Sequence, residues 1–373
     1  MTNRKKYKKY CNENYLRFKL DNDRMWQLFF KEFGEKRAEK LNQLLVDRYD
    51  NLENGNPYSF CENFKETSIL MYFQSDFFYE NSIKLLETIE ILKPHKTLEL
   101  GCYNGILLNY LAGSYANENF IGIDAEEKII SFANEKFKQS NLNFVTLNYK
   151  DLSALKNKFD FIFTLFGIEN IPNNIKFDTY KIRNNKNYLA KHKYFDSFFE
   201  LLKPAIEDNA NFLPLIRIAN LNSLLAFLDA AKKNNWSLKD NKVDYVKSEN
   251  THRIDEQIPS FLLQYSTKEN TEEKIDLDNF IEITKEYRPE DDLRDIYNYQ
   301  KNRSKFNNII KEDNIYYEGD GNTLSYKIYN NLGIYMMFFW STNGFSVYEE
   351  FDNKNDLEES FTLHTKRNLD FSA

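Results

Sequence analysis

The hydrophobic pattern is most regular in the middle of the chain. Four short apolar runs there have the length and composition of buried parallel strands: residues 97–100, 120–123, 143–147 and 159–166. After the first run, apolar residues repeat at helical spacing from Ile106 to Leu111. Strands that alternate with amphipathic helices predict an α/β fold with a parallel sheet.

The same alternation continues towards residue 268. Helical spacing of apolar residues recurs over 129–137, 195–202 and 221–228. Further apolar runs predict strands at 211–219, 236–246 and 261–266. The pattern therefore predicts seven strands in this part of the chain.

The first 93 residues are predicted to be helical. One apolar face spans 25–33, a second spans 38–49, and Asn54-Gly55-Asn56-Pro57 indicates a break after them. Residues 68–78 are dense in large apolar groups. Asn81 is a candidate N-cap of a further helix that would end before Pro94.

The last hundred residues have a different pattern. Helices are predicted around 277–281 and over 291–310, followed by strand-like runs separated by turn signals. Asn343-Gly344 between two aromatic runs is typical of a tight hairpin. We expect a small antiparallel meander with helices on one of its faces.

Chemistry-bearing residues cluster around the turn after the first strand. Gly101 and Gly105 bracket this turn, Glu99 precedes it, and Asp124 ends the second strand. Glycine permits a sharp turn and close approach of a ligand to the backbone. An acid at the end of the second strand suits the two hydroxyls of a ribose in a βαβ nucleotide site. Glu99 disfavours a pyrophosphate there and favours a cationic ligand.

The segment Glu99-Leu100-Gly101-Cys102-Tyr103-Asn104-Gly105 resembles motif I of class I S-adenosylmethionine-dependent methyltransferases, [DE]-x-G-x-G-x-G. Asp124 matches the acidic position that follows in this family. The sequence departs from the motif at Tyr103, which replaces the middle glycine and would cover the cofactor, narrow its pocket or block it. The resemblance covers about residues 82–268.

The resemblance implies a seven-stranded Rossmann-like methyltransferase sheet with helices on both faces, and S-adenosyl-L-methionine as the cofactor. It implies an adenine contact for Asp151, for which a helix cap or turn aspartate is the alternative. The aromatic run 72–79 becomes a candidate lid, or else a helix packed on the sheet. The residues implied at the cofactor are Glu99, Gly101, Cys102, Tyr103, Gly105, Asp124, Ala125, Asp151, Leu152 and Phe166.

The turn after the fourth strand resembles motif IV of small-molecule methyltransferases, G-x-x-E-H-[IV]. Here it reads Gly167-Ile168-Glu169-Asn170-Ile171, so the histidine that some relatives use as a base is absent. Glu169 is the first candidate for a general base, with His192 and Asp178 behind it. The chain lacks the Asn-Pro-Pro-Tyr type of sequence that serves amino methylation of bases or glutamine.

A basic segment at 173–193 resembles an insertion between the fourth strand and its helix. Loops at the carboxyl ends of strands border the ligand site, so this segment is a candidate for recognising a carboxylate, a phosphate or an acidic surface. A solvated loop without a ligand is the alternative.

Composition limits the classes of function. The 373 residues carry a net charge of −7 with both signs mixed along the chain, which disfavours a dedicated nucleic-acid surface. Three distant cysteines form no metal or disulfide pattern, and no stretch approaches the length of a membrane span. These features favour a reduced, cytoplasmic setting without a membrane or metal.

These observations predict an α/β methyltransferase in three parts: a helical segment or lid at 1–81, a Rossmann-like domain at 82–268 and an α+β domain at 269–373. The leading hypothesis is methyl transfer to an oxygen or nitrogen of a small molecule. One alternative is a protein or RNA acceptor that docks on the C-terminal domain. Another is a cofactor-binding or regulatory module without turnover. The C-terminal domain is also a candidate for homodimerisation or for binding a partner protein.

Overall fold

The computed structural model describes residues 3–18, 22–49, 57–165, 182–183, 186–218, 220–247, 257–268, 274–287, 291–305, 308–316, 323–331, 333–341 and 346–370. The chain forms two compact units. The first comprises Met1–Glu169, Phe198–Arg217 and Asn235–Asn270, and the second comprises Asn170–Ser197, Ile218–Asn234 and Thr271–Ala373. The division into domains at 81/82 and 268/269 stays a prediction.

The helices and strands are numbered in chain order. The α-helices are α1 Asn3–Glu13, α2 Asn22–Phe33, α3 Glu35–Tyr49, α4 Phe64–Leu70, α5 Ser75–Leu92, α6 Ile106–Ser114, α7 Glu127–Lys136, α8 Lys186–Leu202, α9 Leu221–Lys233, α10 Leu277–Ile283, α11 Asp292–Asn302 and α12 Lys354–Asp370. The strands are β1 Lys96–Leu100, β2 Asn119–Asp124, β3 Leu142–Thr146, β4 Phe159–Leu165, β5 Ile206–Leu215, β6 Trp236–Leu238, β7 Asp244–Lys247, β8 Gln257–Ser260, β9 Leu263–Tyr265, β10 Asn308–Tyr316, β11 Thr323–Asn331, β12 Ile334–Ser341 and β13 Ser346–Phe351.

The first unit contains a seven-stranded sheet with the order β3-β2-β1-β4-β5-β9-β6. Strands β1 to β5 pair in parallel, and β9 pairs antiparallel with both β5 and β6. The strand order reverses between β1 and β4, and ligands of open α/β sheets bind outside the carboxyl ends of the strands at such a point. The prediction of a seven-stranded Rossmann-like sheet is confirmed.

The main apolar core of this unit joins the N-terminal helices to the sheet. Phe29 of α2, Leu86 of α5 and Leu108 of α6 belong to the same buried cluster as Phe161 and Phe163 of β4. The apolar faces predicted at 25–33 and 38–49 begin within α2 and α3, which Gly34 separates with a φ of +75°. Burial of these large side chains supplies the hydrophobic stabilisation of the unit.

Two predictions about the first unit are wrong at their boundaries. Asn81 does not cap a helix, because α5 already begins at Ser75, and the Asn81 side chain donates instead to the Phe77 carbonyl one turn earlier (2.7 Å). The predicted strand 236–246 ends at Leu238. Its second half forms β7, which pairs with the unpredicted β8 in a separate two-stranded sheet.

The second unit corrects the predicted basic insertion. Residues 186–193 are not a loop, because they form the first two turns of α8. Arg183 is bound to the fully buried Asp229, with 2.6 Å between Nε and Oδ2, and this carboxylate also accepts from the Tyr188 hydroxyl (2.6 Å) and the Ile275 amide (2.8 Å). A buried carboxylate that accepts hydrogen bonds from charged and neutral donors stabilises the structure around it. The rest of the segment, 173–181 and 184–185, lies outside the described residues.

The C-terminal meander is confirmed, with β10 to β13 in consecutive antiparallel order. The turn at Asn343-Gly344 lies outside the described residues. The expectation of helices on one face is wrong. Met337 and Phe339 of β12 pack in a cluster with Leu357 of α12, and the alternate residues Met336 and Phe338 pack with Tyr299 of α11. Both faces are therefore covered by a helix.

The predicted helix at 291–310 is too long. α11 ends at Asn302, and β10 begins at Asn308 as the first strand of the meander. Ile309 and Ile310 lie in this strand and suggested helical continuation only because a short apolar pair fits either structure.

Candidate functional site

The turn after β1 is held in place by the end of β2. The backbone amides of Gly101 and Cys102 both donate to the Ile123 carbonyl at 2.9 Å. Three residues of the turn are left-handed, with φ values of +72° at Gly101, +50° at Tyr103 and +73° at Gly105. The turn therefore leaves the sheet sharply before α6 begins, as the two glycines predicted.

Gly105 is required by contact as well as by backbone conformation. A Cβ atom at this position would lie 2.3 Å from the Phe144 ring of β3, far inside van der Waals contact. Gly105 therefore leaves room for the Phe144 ring beside the start of α6. Gly122 of β2 is similarly crowded, because its Cβ would lie 2.8 Å from Cβ and Sγ of the buried Cys102.

Asp124 stands at the carboxyl end of β2, directly beside the turn. Its two carboxylate oxygens accept from the backbone amides of Tyr103 and Glu126, each at 3.0 Å. Burial raises the pKa of Asp124, and the amide donors oppose that change. The side chain remains partly exposed, so the carboxylate is oriented and can still accept from a ligand hydroxyl.

Glu99 on β1 is the second carboxylate of the site. It is 3% exposed, and its Oε2 atom has no hydrogen-bond partner among the described residues. Burial, and then the neighbouring charge of Asp124, raise the pKa of Glu99 well above its usual value. A buried, unsatisfied carboxyl group is costly unless a donor or a cation completes it.

Tyr103, the departure from motif I, is bound to the N-terminal part of the chain. Its hydroxyl donates to the Thr67 carbonyl of α4 at 3.0 Å, and its ring packs against Tyr58 with 4.9 Å between the centroids. Asn104 adds bonds to the hydroxyls of Thr67 (3.0 Å) and Ser68 (3.2 Å). The motif I turn and α4 therefore form one hydrogen-bonded assembly.

The remaining predicted cofactor residues are distributed along the same edge of the sheet. Ala125 is exposed immediately after Asp124, and Asp151 is exposed in a 3₁₀ turn that follows β3. The cap of this turn is Asn148, whose side chain accepts from the Lys150 amide, so the N-cap alternative for Asp151 does not hold. Leu152 is fully buried beneath the turn.

Of the candidate catalytic residues, the structure describes His192 alone. Glu169 and Asp178, and also the cofactor candidate Phe166, lie outside the described residues. His192 lies on α8 in the second unit, where burial lowers its pKa, and its ring is 5.7 Å from that of Tyr188. A catalytic role of Glu169 or His192 stays a prediction.

Two residues that hold the turn were not predicted from the sequence. Thr67 and Ser68 have no motif, and only the fold brings them to the turn. In the second unit, Lys191 of the predicted basic segment is buried with a lowered pKa and donates to the Ser223 hydroxyl (2.6 Å).

The residues of the first unit fit S-adenosylmethionine. Asp124 offers acceptors for ribose hydroxyls, the buried Glu99 carboxyl offers an acceptor for the cofactor's ammonium group, and Gly101 permits close approach of its chain. The described residues contain no cluster of His, Cys, Asp and Glu suited to a metal ion. None of the described helices is both long enough and apolar enough to cross a membrane.

Comparison with known proteins agrees with this site. The family model described as a methyltransferase domain matches residues 97–183, which include the turn and both carboxylates. A protein of Invertebrate iridescent virus 6 described as a methyltransferase is 27% identical over 99 residues, or 26% of this chain and 36% of that protein. The tRNA (guanine-N(7)-)-methyltransferase of Clostridium botulinum is 29% identical over 119 residues, or 30% of this chain and 52% of that enzyme.

A solved structure completes the comparison. The N-methyltransferase NodS from Bradyrhizobium japonicum WM9, in complex with S-adenosyl-l-homocysteine, is 12% identical, with a TM-score of 0.36 over 62% of this chain and 99% of NodS. The chain spans about a third to a half of the length of the curated relatives named above.

The sheet topology, the motif I turn and the family match agree. Residues 97–183 match a methyltransferase domain, and the predicted resemblance to class I, Rossmann-like S-adenosylmethionine-dependent methyltransferases is confirmed for this part of the chain. S-adenosylmethionine is the cofactor of that family, as the resemblance implied.

Proposed function

We propose that this chain binds S-adenosylmethionine in its first unit and transfers the methyl group to an oxygen or nitrogen atom of a small-molecule acceptor. The observation that carries the proposal is the pair of carboxylates at adjacent strand ends. Glu99 on β1 and Asp124 on β2 flank the Gly101 turn, and β1 and β2 are neighbouring parallel strands. We assign Asp124 to the ribose and Glu99 to the cofactor's ammonium group.

The proposed reaction is a direct displacement. A lone pair of the acceptor attacks the methyl carbon, the carbon–sulfur bond breaks, and its electrons stay on the sulfur of S-adenosylhomocysteine. The acceptor's proton leaves to a base or to water. Because the methyl group is already activated, the protein contributes mainly alignment and exclusion of water. We propose Glu169 as the base where the acceptor is protonated at neutral pH.

Tyr103 is compatible with this function. Its side chain is occupied by Thr67 and Tyr58, and its backbone supplies the positive φ that the missing glycine would otherwise provide. A left-handed tyrosine costs about 1–2 kcal/mol relative to glycine, which the hydroxyl bond and the ring packing help to offset.

Calorimetric titration with S-adenosylmethionine and with S-adenosylhomocysteine tests the proposal. We expect micromolar binding by the wild-type protein and at least a tenfold loss in Asp124→Ala, because the ribose loses its acceptor. Asp244→Ala, which removes a half-exposed carboxylate on β7, is the matched control and should bind normally. Asp151→Asn should weaken binding if Asp151 contacts adenine.

Failure of a folded wild-type protein to bind either ligand contradicts the proposal and supports a regulatory module without turnover. If the ligands bind, incubation with labelled S-adenosylmethionine and metabolite mixtures should label a small molecule. The absence of labelled product from any extract would contradict transfer while leaving cofactor binding in place.

An RNA acceptor is the second candidate, because the C. botulinum relative is a tRNA methyltransferase. The helix α1 also presents exposed Lys5, Lys6, Lys8 and Lys9. RNA as acceptor predicts labelling of bulk tRNA and steep loss of activity with salt, whereas a small acceptor predicts neither. A cytoplasmic location remains part of the proposal in both cases.

A further inference from the structure

We propose that α1 is a docking surface for a single-stranded nucleic acid, whose phosphates lie along the basic face of the helix and whose bases stack on Tyr15. The inference goes beyond the proposed methyl transfer, because it concerns binding alone and holds for either class of acceptor. It also names the surface that would hold an RNA acceptor.

The basic residues of α1 are concentrated on its solvent-facing side. The helix carries five basic residues and one acidic residue among eleven, whereas the whole chain has a net charge of −7. Lys5, Lys8 and Lys9 are exposed and are spaced three and four residues apart, so they share one face of the helix. Together with Asn12 and Glu13 they line an open depression on the surface. The charge of α1 is therefore opposite in sign to that of the whole chain.

The protein itself balances this charge only in part. Lys9 pairs with Glu13 of the same helix, with 3.7 Å between Nζ and Oε1. In the described part of the chain, no carboxylate pairs with Lys5 or Lys8. Lysines one turn apart repel each other, and cations in the first turn of a helix oppose its dipole. These positions reduce the stability of α1, whereas phosphates along the same face would be attracted to each of them.

The opposite face of α1 fixes the helix to the first unit. Tyr7 and Cys11 are fully buried, and the Tyr7 hydroxyl donates to the Ser82 hydroxyl of α5 at 3.1 Å. The Asn109 side chain of α6 donates to the Tyr10 hydroxyl at 2.5 Å. Asn109 is the fourth residue of α6, which begins directly after the motif I turn. The basic face is therefore a fixed part of the first unit, attached close to the cofactor turn.

This burial favours a nucleic acid over a membrane as the partner of α1. Helices that bind anionic membranes insert an apolar face at the boundary between headgroups and acyl chains. The apolar side chains of α1, Tyr7 and Cys11, are already packed into the core cluster of the first unit. The helix presents charge to the solvent, which suits a ligand that is recognised through its phosphates.

An exposed aromatic ring directly after α1 favours a single strand over a duplex. Tyr15 is 42% exposed, its amide donates to the Asn12 carbonyl (3.2 Å), and its carbonyl accepts from the Tyr72 hydroxyl (2.6 Å). Two cationic side chains accompany the ring: Lys65 Nζ lies 5.5 Å from its centroid, and Arg17 is exposed two residues further on. Aromatic rings beside cations stack the unpaired bases of a single strand while its phosphates are bound. The bases of a duplex stack on one another, so a duplex gains nothing from Tyr15.

Fluorescence anisotropy of labelled oligonucleotides with the full-length protein tests the inference. The probes are oligouridylate, its deoxy counterpart and an RNA duplex, all of about 12 nucleotides, which lies within the usual site sizes of single-strand grooves. Comparison of oligouridylate with its deoxy counterpart identifies RNA or DNA as the preferred strand. Vesicles of phosphatidylcholine and phosphatidylserine in equal parts probe the membrane alternative.

Two triple variants and two variants of Tyr15 complete the design. Lys5→Gln/Lys8→Gln/Lys9→Gln neutralises the basic face. Tyr15→Leu removes the aromatic ring, and Tyr15→Phe keeps it. The matched control carries the same change at three exposed lysines elsewhere in the first unit: Lys138, Lys156 and Lys158.

We expect the wild type to bind oligouridylate more tightly than the duplex. Loss of the basic face should weaken binding at least tenfold and reduce the slope of log affinity against log salt by about 2, because three phosphate contacts are lost. The control triple variant should keep that slope and lose less than about threefold in affinity. Tyr15→Leu should weaken single-strand binding about fivefold or more, whereas Tyr15→Phe should bind like the wild type.

Equal losses in the two triple variants would show that binding follows net charge alone, and would overturn the inference. Equal or tighter binding of the duplex would overturn it too, as would binding to vesicles without binding to either single strand. Thermal unfolding controls for folding, because loss of repulsion should leave the midpoint of the basic-face variant unchanged or raised. The titrations contain no cofactor, so a failure here leaves binding of S-adenosylhomocysteine and the proposed function untouched, and the reverse also holds.

Discussion

Glu99 carries an ionisable group into the core beneath the motif I turn. The chain provides no described hydrogen-bond partner for Oε2, and the Asp124 carboxyl group beside it adds an unfavourable charge. Strongly perturbed carboxyl groups in a cleft are typical of functional sites, because the missing partner is supplied by the ligand. The ammonium group of the cofactor would supply both a donor and a positive charge.

This environment predicts proton release when the cofactor binds. The raised pKa keeps a fraction of Glu99 protonated in the free protein, and a bound ammonium group favours the carboxylate. Binding of S-adenosylhomocysteine should therefore release up to one proton and tighten as the pH rises towards that pKa. Calorimetry in two buffers with different ionisation enthalpies measures the release.

The variant Glu99→Gln is the control for proton release, because an amide cannot ionise. It should bind S-adenosylhomocysteine more weakly and show the same enthalpy in both buffers. A wild-type enthalpy that does not depend on the buffer would count against the role assigned to Glu99.

Gly105 and Gly34 provide a matched pair for the second prediction. Their φ values are +73° and +75°, but a Cβ at Gly34 meets no atom within 4 Å, whereas one at Gly105 meets the Phe144 ring. Gly34→Ala should cost about 1 kcal/mol for the backbone alone. Gly105→Ala should cost about 2–4 kcal/mol, because overpacking adds to that strain.

Urea unfolding of both glycine variants measures this difference. Gly105→Ala should also weaken binding of S-adenosylhomocysteine, since α6 and the turn must shift away from Phe144. Equal stability of the two variants would mean that the Phe144 ring rotates away without cost.

At the scale of helices and strands, local sequence patterns were sufficient for prediction where the segments that contact each other lie close together in the sequence. The motif I turn, β1, α6 and β2 occupy fewer than thirty residues and were all predicted. Asn81 was misassigned because an asparagine before an apolar repeat resembles a cap, whereas burial of Phe77 and Phe78 extends the helix to Ser75. Contacts between distant segments, such as Arg183 with Asp229 (46 residues apart), leave no local signal.

Asp295 of α11 should make the stability of the C-terminal meander depend on pH. Burial and the neighbouring Asp292 raise the pKa of Asp295 from 3.8 to about 7. The folded state thus binds more protons than the unfolded state between about pH 4 and 7, so this group stabilises at low pH and the contribution is lost as the pH rises to 7. Asp295→Asn should remove this loss of stability at high pH, because an amide does not ionise.

Urea unfolding at pH 5 and pH 8 tests this effect on the second unit. Asp295→Asn should gain about 1–2 kcal/mol relative to wild type at pH 8, after allowance for partial exposure, and less at pH 5. Asp278→Asn, which alters a carboxylate that is 67% exposed on α10, should show no comparable difference between the two pH values. A pH-independent gain in Asp295→Asn would contradict the titration.

For the whole molecule, the sequence predicted the class of fold and the candidate cofactor residues, but not what surrounds these residues. The sheet follows from periodicity, and Glu99, Gly101 and Asp124 follow from their place at strand ends. The attachment of Tyr103 and Asn104 to α4 depends on Thr67, 36 residues before Tyr103. The stacking of Arg217 on Phe77 joins positions that no motif connects.

Because the motif I turn is hydrogen-bonded to α4, a ligand bound at the turn should also stabilise α4. Ligand at 100 times its Kd stabilises the binding unit by about 2.7 kcal/mol, which slows exchange through its global unfolding about a hundredfold. Added S-adenosylhomocysteine should therefore protect amides in 97–124 and, through Tyr103 and Asn104, in α4. The meander from β10 to β13 has its own apolar clusters and should change little.

Hydrogen exchange followed by mass spectrometry measures protection segment by segment. Asp124→Ala at the same ligand concentration should reduce the added protection at least tenfold in every segment, in proportion to its lost affinity, which controls for non-specific effects. In Tyr103→Phe, protection of 97–124 should persist while protection of α4 falls, because the hydroxyl bond to Thr67 is lost. Protection of α4 that is unchanged in Tyr103→Phe would show that this bond does not couple α4 to the cofactor site.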